Sequence, residues 1–283
     1  MLKDKNRRPQ ADLTTSEQQL NLARYGKALG RRGFMTSVGL AGVSVAAGSI
    51  LTSCLGSGAV VSAQAVPETD VLNFALNLEY LEANFYQVAV NGAPLSSSDT
   101  GSGAGTVSGG SKVSFSEATL AKIAAEIAQD ELLHVRFLRT ALGSAAVAQP
   151  NINLSALGIG FANDNEFLTL SRAFEDTGVS AYAGAATLLS GNNLQAAAQI
   201  LAVEAYHAGN IRLEVEQKGI TVPATDSLDV PPDQMHFFPV DSNALAIKRT
   251  TSQVLAIVYA NPAAGTSSGG FFPNGLNGNI KTV

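Results

Sequence analysis

The sequence predicts an all-α chain: a four-helix bundle with a long crossover between helices two and three, plus a C-terminal extension that carries an extra helix. Three observations lead there. Four long segments free of proline place apolar residues at helical spacing. Only the turn Ser190-Gly191-Asn192-Asn193 separates the last two, which makes them antiparallel neighbours, whereas the irregular stretch between the second and third can run the length of a bundle. With 46% hydrophobic and only 14% charged residues, where a typical domain carries roughly 25% charge, the chain has the material for a sizeable core.

Helix one is expected over residues 70–90, with Leu72, Ala75, Leu76, Glu79, Phe85 and Tyr86 on one broad stripe. A Gly/Ser-rich run to about Ser111 reads as a flexible loop inserted between helices one and two. Ser116 signals the start of helix two, whose inner face carries Ile123, Ile127, Glu131, His134 and Leu138, and Gly143 ends it. Helix three starts near Asn165, and Gly178 and Gly184 each weaken it by about 1 kcal/mol relative to Ala, so packing has to hold it. Helix four follows the short turn and stops at Gly219. Beyond it a Pro-rich segment leads to one more helical pattern over residues 244–260, with Leu245, Val254, Leu255 and Val258 as its apolar positions. The extension, ending in glycine-rich loops with Phe271 and Phe272, is expected to brace the bundle rather than to join copies of the chain.

Charge is unevenly shared. Residues 1–65 hold eight bases (Lys3, Lys5, Arg7, Arg8, Arg24, Lys27, Arg31, Arg32) against three acids (Asp4, Asp12, Glu17), which leaves ten bases and twenty acids for the rest. An acidic body repels phosphate backbones, so nucleic acid is excluded as a partner. The single cysteine, Cys54, excludes an internal disulfide and any thiolate cluster.

Residues 1–65 read as an address and linker. Arg31 and Arg32 followed by Gly33-Phe34-Met35 precede a mostly apolar run from Val38 to Leu51, too short and polar for a membrane span. The pattern resembles a twin-arginine signal, which implies export of an already folded protein to the periplasm or outside the cell. Cleavage is expected after Ala65, or at Cys54 within a lipobox-like Leu51-Thr52-Ser53-Cys54, where lipidation would anchor the chain. The membrane enters only through this signal or that anchor.

The chemistry lies in the histidines. Of three, His134 and His207 each follow a glutamate by three residues, in Glu131-Leu132-Leu133-His134 and Glu204-Ala205-Tyr206-His207. That spacing puts carboxylate and imidazole on one helix face, where both reach one metal ion. A single such pair is a weak signal, whereas two on separate helices are a specific one. Helices one and three each add an acid in apolar surroundings, Glu79 and Glu175, and buried carboxylates call for a cation. Glu82, one turn from Glu79, competes for the first of these roles. His236, in a loop, reads as structural.

The order Glu, Glu-x-x-His, Glu, Glu-x-x-His resembles the ligand set of ferritin-like di-metal proteins. Together with LNFALNLEYLEANFY and the tail, it makes residues 66–283 similar to the bacterial ferritin-like proteins grouped with plant desiccation-related proteins. The resemblance implies a ferritin-like bundle over 66–220 and an extension over 221–283. It implies Glu79, Glu131, His134, Glu175, Glu204 and His207 as ligands of two iron ions, with Glu131 and Glu204 bridging. Glu79 is preferred over Glu82 because Tyr86 follows it by seven residues, as in many ferritin-like first helices, and Tyr182 stands likewise to Glu175. Tyr86, Tyr182 and Tyr206 are expected in the core with satisfied hydroxyls, and with Glu82 are candidates to support the ligands.

Carboxylates and imidazoles without thiolate suit iron and also manganese. The expected function is a redox reaction with oxygen or peroxide, serving in oxidative or desiccation stress, as a peroxidase or ferroxidase type of di-iron oxidoreductase. The alternatives are iron sequestration and a non-catalytic structural stress protein on the same bundle. A homo-oligomer is compatible with each.

Overall fold

A computed structural model describes residues 66–233 and 235–283. The leader read over residues 1–65, with Arg31, Arg32, Cys54 and both cleavage sites, lies outside these residues. Among the described residues no helix is long and apolar enough to cross a membrane.

Four long helices form the bundle: α1 (Glu68–Asn91), α2 (Ala118–Leu142), α3 (Asp164–Ala185) and α4 (Gly191–Gln217). α1 packs along α2, and α3 along α4. A shorter helix, α5 (Thr251–Val258), packs on α3. Local chemistry sets most of the ends. Asn163 caps α3 by accepting from the Glu166 amide, and Thr250 and Gln253 form a reciprocal capping box on α5. Gly92 closes α1 in the left-handed conformation.

Three local expectations are corrected. Ser116 does not cap α2; the helix begins two residues later, and the Ser116 hydroxyl donates to Asp164 Oδ2 at 2.5 Å, tying the start of α2 to the start of α3. Asn192 and Asn193 are not a free turn but the first turn of α4, which starts at Gly191. The last helical pattern is helical only from Thr251: residues 244–246 bond back to the preceding turn, and the Arg249 amide donates to the Ser180 carbonyl of α3; Leu245 is 62% exposed while Val254, Leu255 and Val258 are buried.

The Gly/Ser-rich connection between α1 and α2 is more regular than its composition suggests. It holds a single helical turn, Ser97–Thr100, and a strand β1 (Val107–Ser108) that pairs in parallel with β2 (Ile152–Asn153) from the α2–α3 crossover. Buried amides on α1 supply the anchors. Asn84 donates to Gln149 Oε1 at 2.7 Å and accepts from the Leu95 amide at 3.0 Å. Asn73 donates to the Ala145 carbonyl and accepts from the Val147 amide, both at 2.9 Å. A buried amide without partners is costly, so these side chains fix the paths of both connections. α1 is consequently covered almost all round, with nearly every residue from Val71 to Ala89 buried.

The C-terminal extension is tied to α3 and α4 by three buried arginines. Arg212 Nη1 donates to Asp176 at 2.7 Å, and its remaining nitrogens donate to the carbonyls of Phe237, Val230 and His236. Arg172 forms ion pairs with Asp176 at 3.0 Å and Asp229 at 2.6 Å. Arg249 bonds Asp226 at 2.6 Å and the Ser180 hydroxyl at 2.8 Å. Phe271 and Phe272 are buried, the first against Phe174. These contacts pack the extension against α3 and α4.

Gly184 marks where this brace meets α3. A Cβ there would collide with the Arg249 carbonyl, which a backbone cannot easily vacate. Gly184→Ala is therefore expected to lower stability by about 1–3 kcal/mol. Gly209→Ala on α4, where a Cβ meets nothing within 4 Å, is expected to raise it by about 0.5–1 kcal/mol. Urea denaturation of the two variants checks both signs. Arg212→Ala, which leaves buried Asp176 with Arg172 as its one charged partner and three carbonyls without their donor, is expected to cost about 3–5 kcal/mol in the same measurement, with no rescue by Lys because one ammonium cannot reach four acceptors.

A candidate metal centre inside the bundle

The four helices bring Glu79, Glu131, His134, Glu175, Glu204 and His207 together. All four glutamates are fully buried, and the two histidines nearly so. The six form two overlapping groups, Glu79, Glu131, His134 and Glu204, and Glu131, Glu175, Glu204 and His207. Within each group the ligand-type atoms lie within 4.8 Å of one another. Glu131 and Glu204 belong to both.

Individual atoms show how the centre is built. His134 Nδ1 lies 3.2 Å from Glu79 Oε2, 3.5 Å from Glu204 Oε1 and 3.6 Å from Glu131 Oε2. His207 Nδ1 lies 3.1 Å from Glu131 Oε1 and 3.4 Å from Glu175 Oε2. Tyr182 donates to Glu79 Oε1, and Tyr86 donates to Glu175 Oε1 at 2.5 Å. Each outer glutamate thus has one oxygen held by a tyrosine and one left over. Glu131 and Glu204 have both left over, and Glu131 turns one oxygen toward each histidine.

The atoms left over are the informative ones. Glu79 Oε2, Glu175 Oε2, both oxygens of Glu131 and of Glu204, and Nδ1 of both histidines are buried without a hydrogen-bond partner. Buried polar atoms are nearly always paired, and a cluster of eight that are not, gathered in one place, is a set that could serve as metal ligands. Oxygen and imidazole donors with no sulfur fit hard to intermediate divalent cations, so the residues fit the ions expected of them.

Of the supporting residues, Tyr86, Tyr182 and Glu82 lie where the sequence suggested. Glu82 is buried, and its Oε1 faces the space left open by Gly178, beside Glu204. A Cβ at Gly178 would collide with Glu204, so this glycine makes room for a carboxylate; its helix-weakening composition alone did not show that. Tyr206 is corrected: it is 70% exposed, because the residue before His207 on a helix points about 100° away from it. His236 is exposed and pairs with Asp233 at 2.9 Å, away from the centre. Sequence reading missed Asp130, which accepts from His207 Nε2 at 3.2 Å. The only available signal was its place one residue before Glu131.

A cavity of about 680 Å³ lies on the flank of α3 facing the extension, lined by Leu170, Phe174 and Ile257 among others. None of the six residues borders it, so it is not the route to the centre. A depression of about 230 Å³ does reach it, lined by Glu126, Asp130, Val203, Tyr206 and His207.

Crowded carboxylates set the protonation of the centre. Burial and the charge of Glu79 push the Glu131 carboxyl up to about 7. Burial and the repulsion of Glu131 raise Glu204, and burial with the repulsion of Glu204 raises Glu82. Burial alone would lower His207, but the carboxylates of Glu131 and Glu175 outweigh it and push it up to about 12. The metal-free centre therefore stores protons that a cation must displace, because only the neutral imidazole and the carboxylate bind metal. Loading at neutral pH is expected to release protons, and affinity to fall by about tenfold per pH unit for each proton displaced. The fall steepens below about pH 7, where Glu131 is itself protonated. Cobalt titrations across pH 6–8 in weak buffer with an indicator dye measure both effects.

No curated protein matches the chain. The family model of the ferritin-like domain matches residues 67–217, running from the residue that caps α1 to the last residue of α4. The match spans more than half of the chain and covers the whole four-helix bundle with every residue of the cluster, and the protein belongs to the ferritin-like domain family.

Proposed function

We propose that the chain is an exported di-metal carboxylate protein that holds two iron ions and reacts with oxygen or peroxide. Glu79, Glu131, His134 and Glu204 form one position, and Glu131, Glu175, Glu204 and His207 the other. The observation that carries the reading is the set of eight buried ligand atoms without a protein partner. Four carboxylates balance the charge of two divalent cations, and manganese suits the same donors.

When bound, such ions supply changes of oxidation state and open coordination positions for a small oxidant. The chain's own groups do the rest. Tyr86 and Tyr182 hold Glu175 and Glu79 by one oxygen each, which leaves the other aimed inward and fixes the carboxylate rotamer. The apolar packing of the helices limits water, and the depression beside His207 is wide enough for a molecule the size of peroxide. The leader with Arg31 and Arg32 supports a place of action outside the cytoplasm, reached after the metal is loaded, and the setting of oxidative or drying stress follows from the family resemblance.

Elemental analysis of the purified protein is expected to give about two metal ions per chain. His134→Ala combined with His207→Ala is expected to abolish that stoichiometric metal while circular dichroism shows the helices intact. Peroxide is expected to change the visible spectrum of the iron-loaded protein. Full metal retention in the double variant would refute the site, and mineral uptake far beyond two irons would replace the redox reading with storage.

A further inference from the structure

We infer that the two metal positions are inequivalent, and that Asp130 is a positioning residue which makes the His207 position the tighter one and the first to fill. The inference rests on the di-metal reading above.

The centre is built from a repeated pattern. Glu79 with Tyr86 in α1 recurs as Glu175 with Tyr182 in α3, and Glu131 with His134 in α2 recurs as Glu204 with His207 in α4. The repeat reaches beyond the centre, since Arg139 bonded to Tyr80 recurs as Arg212 bonded to Asp176. Against that background a break in the pattern is meaningful. The residue before Glu131 is Asp130, and the residue before Glu204 is Val203.

The break changes what each imidazole can do. Asp130, a carboxylate, can only accept, so His207 Nε2 donates to it at 3.2 Å and Nδ1 is the nitrogen left to give up its proton and bind a metal. That bond selects the tautomer, orients the ring and makes the inward nitrogen more basic. His134 has no such partner: its Nδ1 faces three glutamates, and its Nε2 makes no hydrogen bond to the described residues. One ring is held ready and the other has to be fixed by the metal itself. The depression that reaches the centre is bordered by Asp130 and His207, so the prepared position also opens toward the surface.

Cobalt(II), titrated into the metal-free full chain and followed by visible absorption and calorimetry, tests this. Two resolved steps are expected. His134→Ala keeps the tighter step, and His207→Ala keeps only the weaker. Asp130→Ala weakens the first step by about 10–100-fold and shifts the cobalt spectrum of that step. Asp130→Asn recovers part of the loss, because its carbonyl still accepts from Nε2 without the charge. Two equal steps, a tight step that belongs to His134, or an unmoved first step in Asp130→Ala overturns the inference while leaving the di-metal reading in place. Absence of any stoichiometric cobalt overturns both.

Discussion

Carboxylates crowded into a dry interior are the constraint around which this molecule is arranged. Glu79, Glu82, Glu131, Glu175 and Glu204 come from all four helices and are all buried, and burial together with the repulsion among them raises Glu82, Glu131 and Glu204 above the ordinary carboxylate range. An ionised carboxylate without compensation is among the most costly groups a fold can bury. The two histidines offset part of that charge in the metal-free chain, and their own protonation is raised by the same acids. Bound cations would offset it more fully and would satisfy the atoms that have no hydrogen-bond partner in the protein. Family membership, burial and donor chemistry therefore converge on metal binding.

The surroundings of the centre resist that internal strain. α1 and α3 carry the outer glutamates, and each is held by polar groups pointing away from the centre. On α1, Asn73, Asn77 and Asn84 bond the backbone or side chains of distant segments, so that the helix is locked between two connections and the tail. On α3, Arg172 and Asp176 join Arg212 of α4 and Asp229 of the extension in a buried network. Burial pushes the Asp176 carboxyl up to about 6 even between two guanidiniums. Rigid outer layers keep six side chains aimed at one point, and a cluster of like charges cannot relax by separating its helices.

Glycine plays a matching part on α3. Gly178 leaves the volume into which Glu204 and Glu82 project, and Gly184 lets the Arg249 backbone lie directly on the helix. Both positions weaken the helix by composition, and both are explained by what approaches them. The internal repeat sharpens the point, because the residue that stands to Glu175 as Glu82 stands to Glu79 is Gly178. One half of the centre has an additional acid where the other has a gap.

The sequence by itself determined the class of fold, the order of the four helices and the six residues of the cluster. Helical periodicity and Glu-x-x-His spacing are local properties, written within one turn of chain, and local geometry is enough to place Glu131 beside His134 or Glu204 beside His207. The tertiary structure decided everything that depends on approach between distant segments. It turned Tyr206 outward, drew the Gly/Ser-rich connection into a strand pair, shortened the last helix so that Arg249 could bond α3 through its backbone, and set Asp130 of α2 against His207 of α4. Contacts of that kind are fixed by packing between helices, a relation for which a single chain carries no periodic signal.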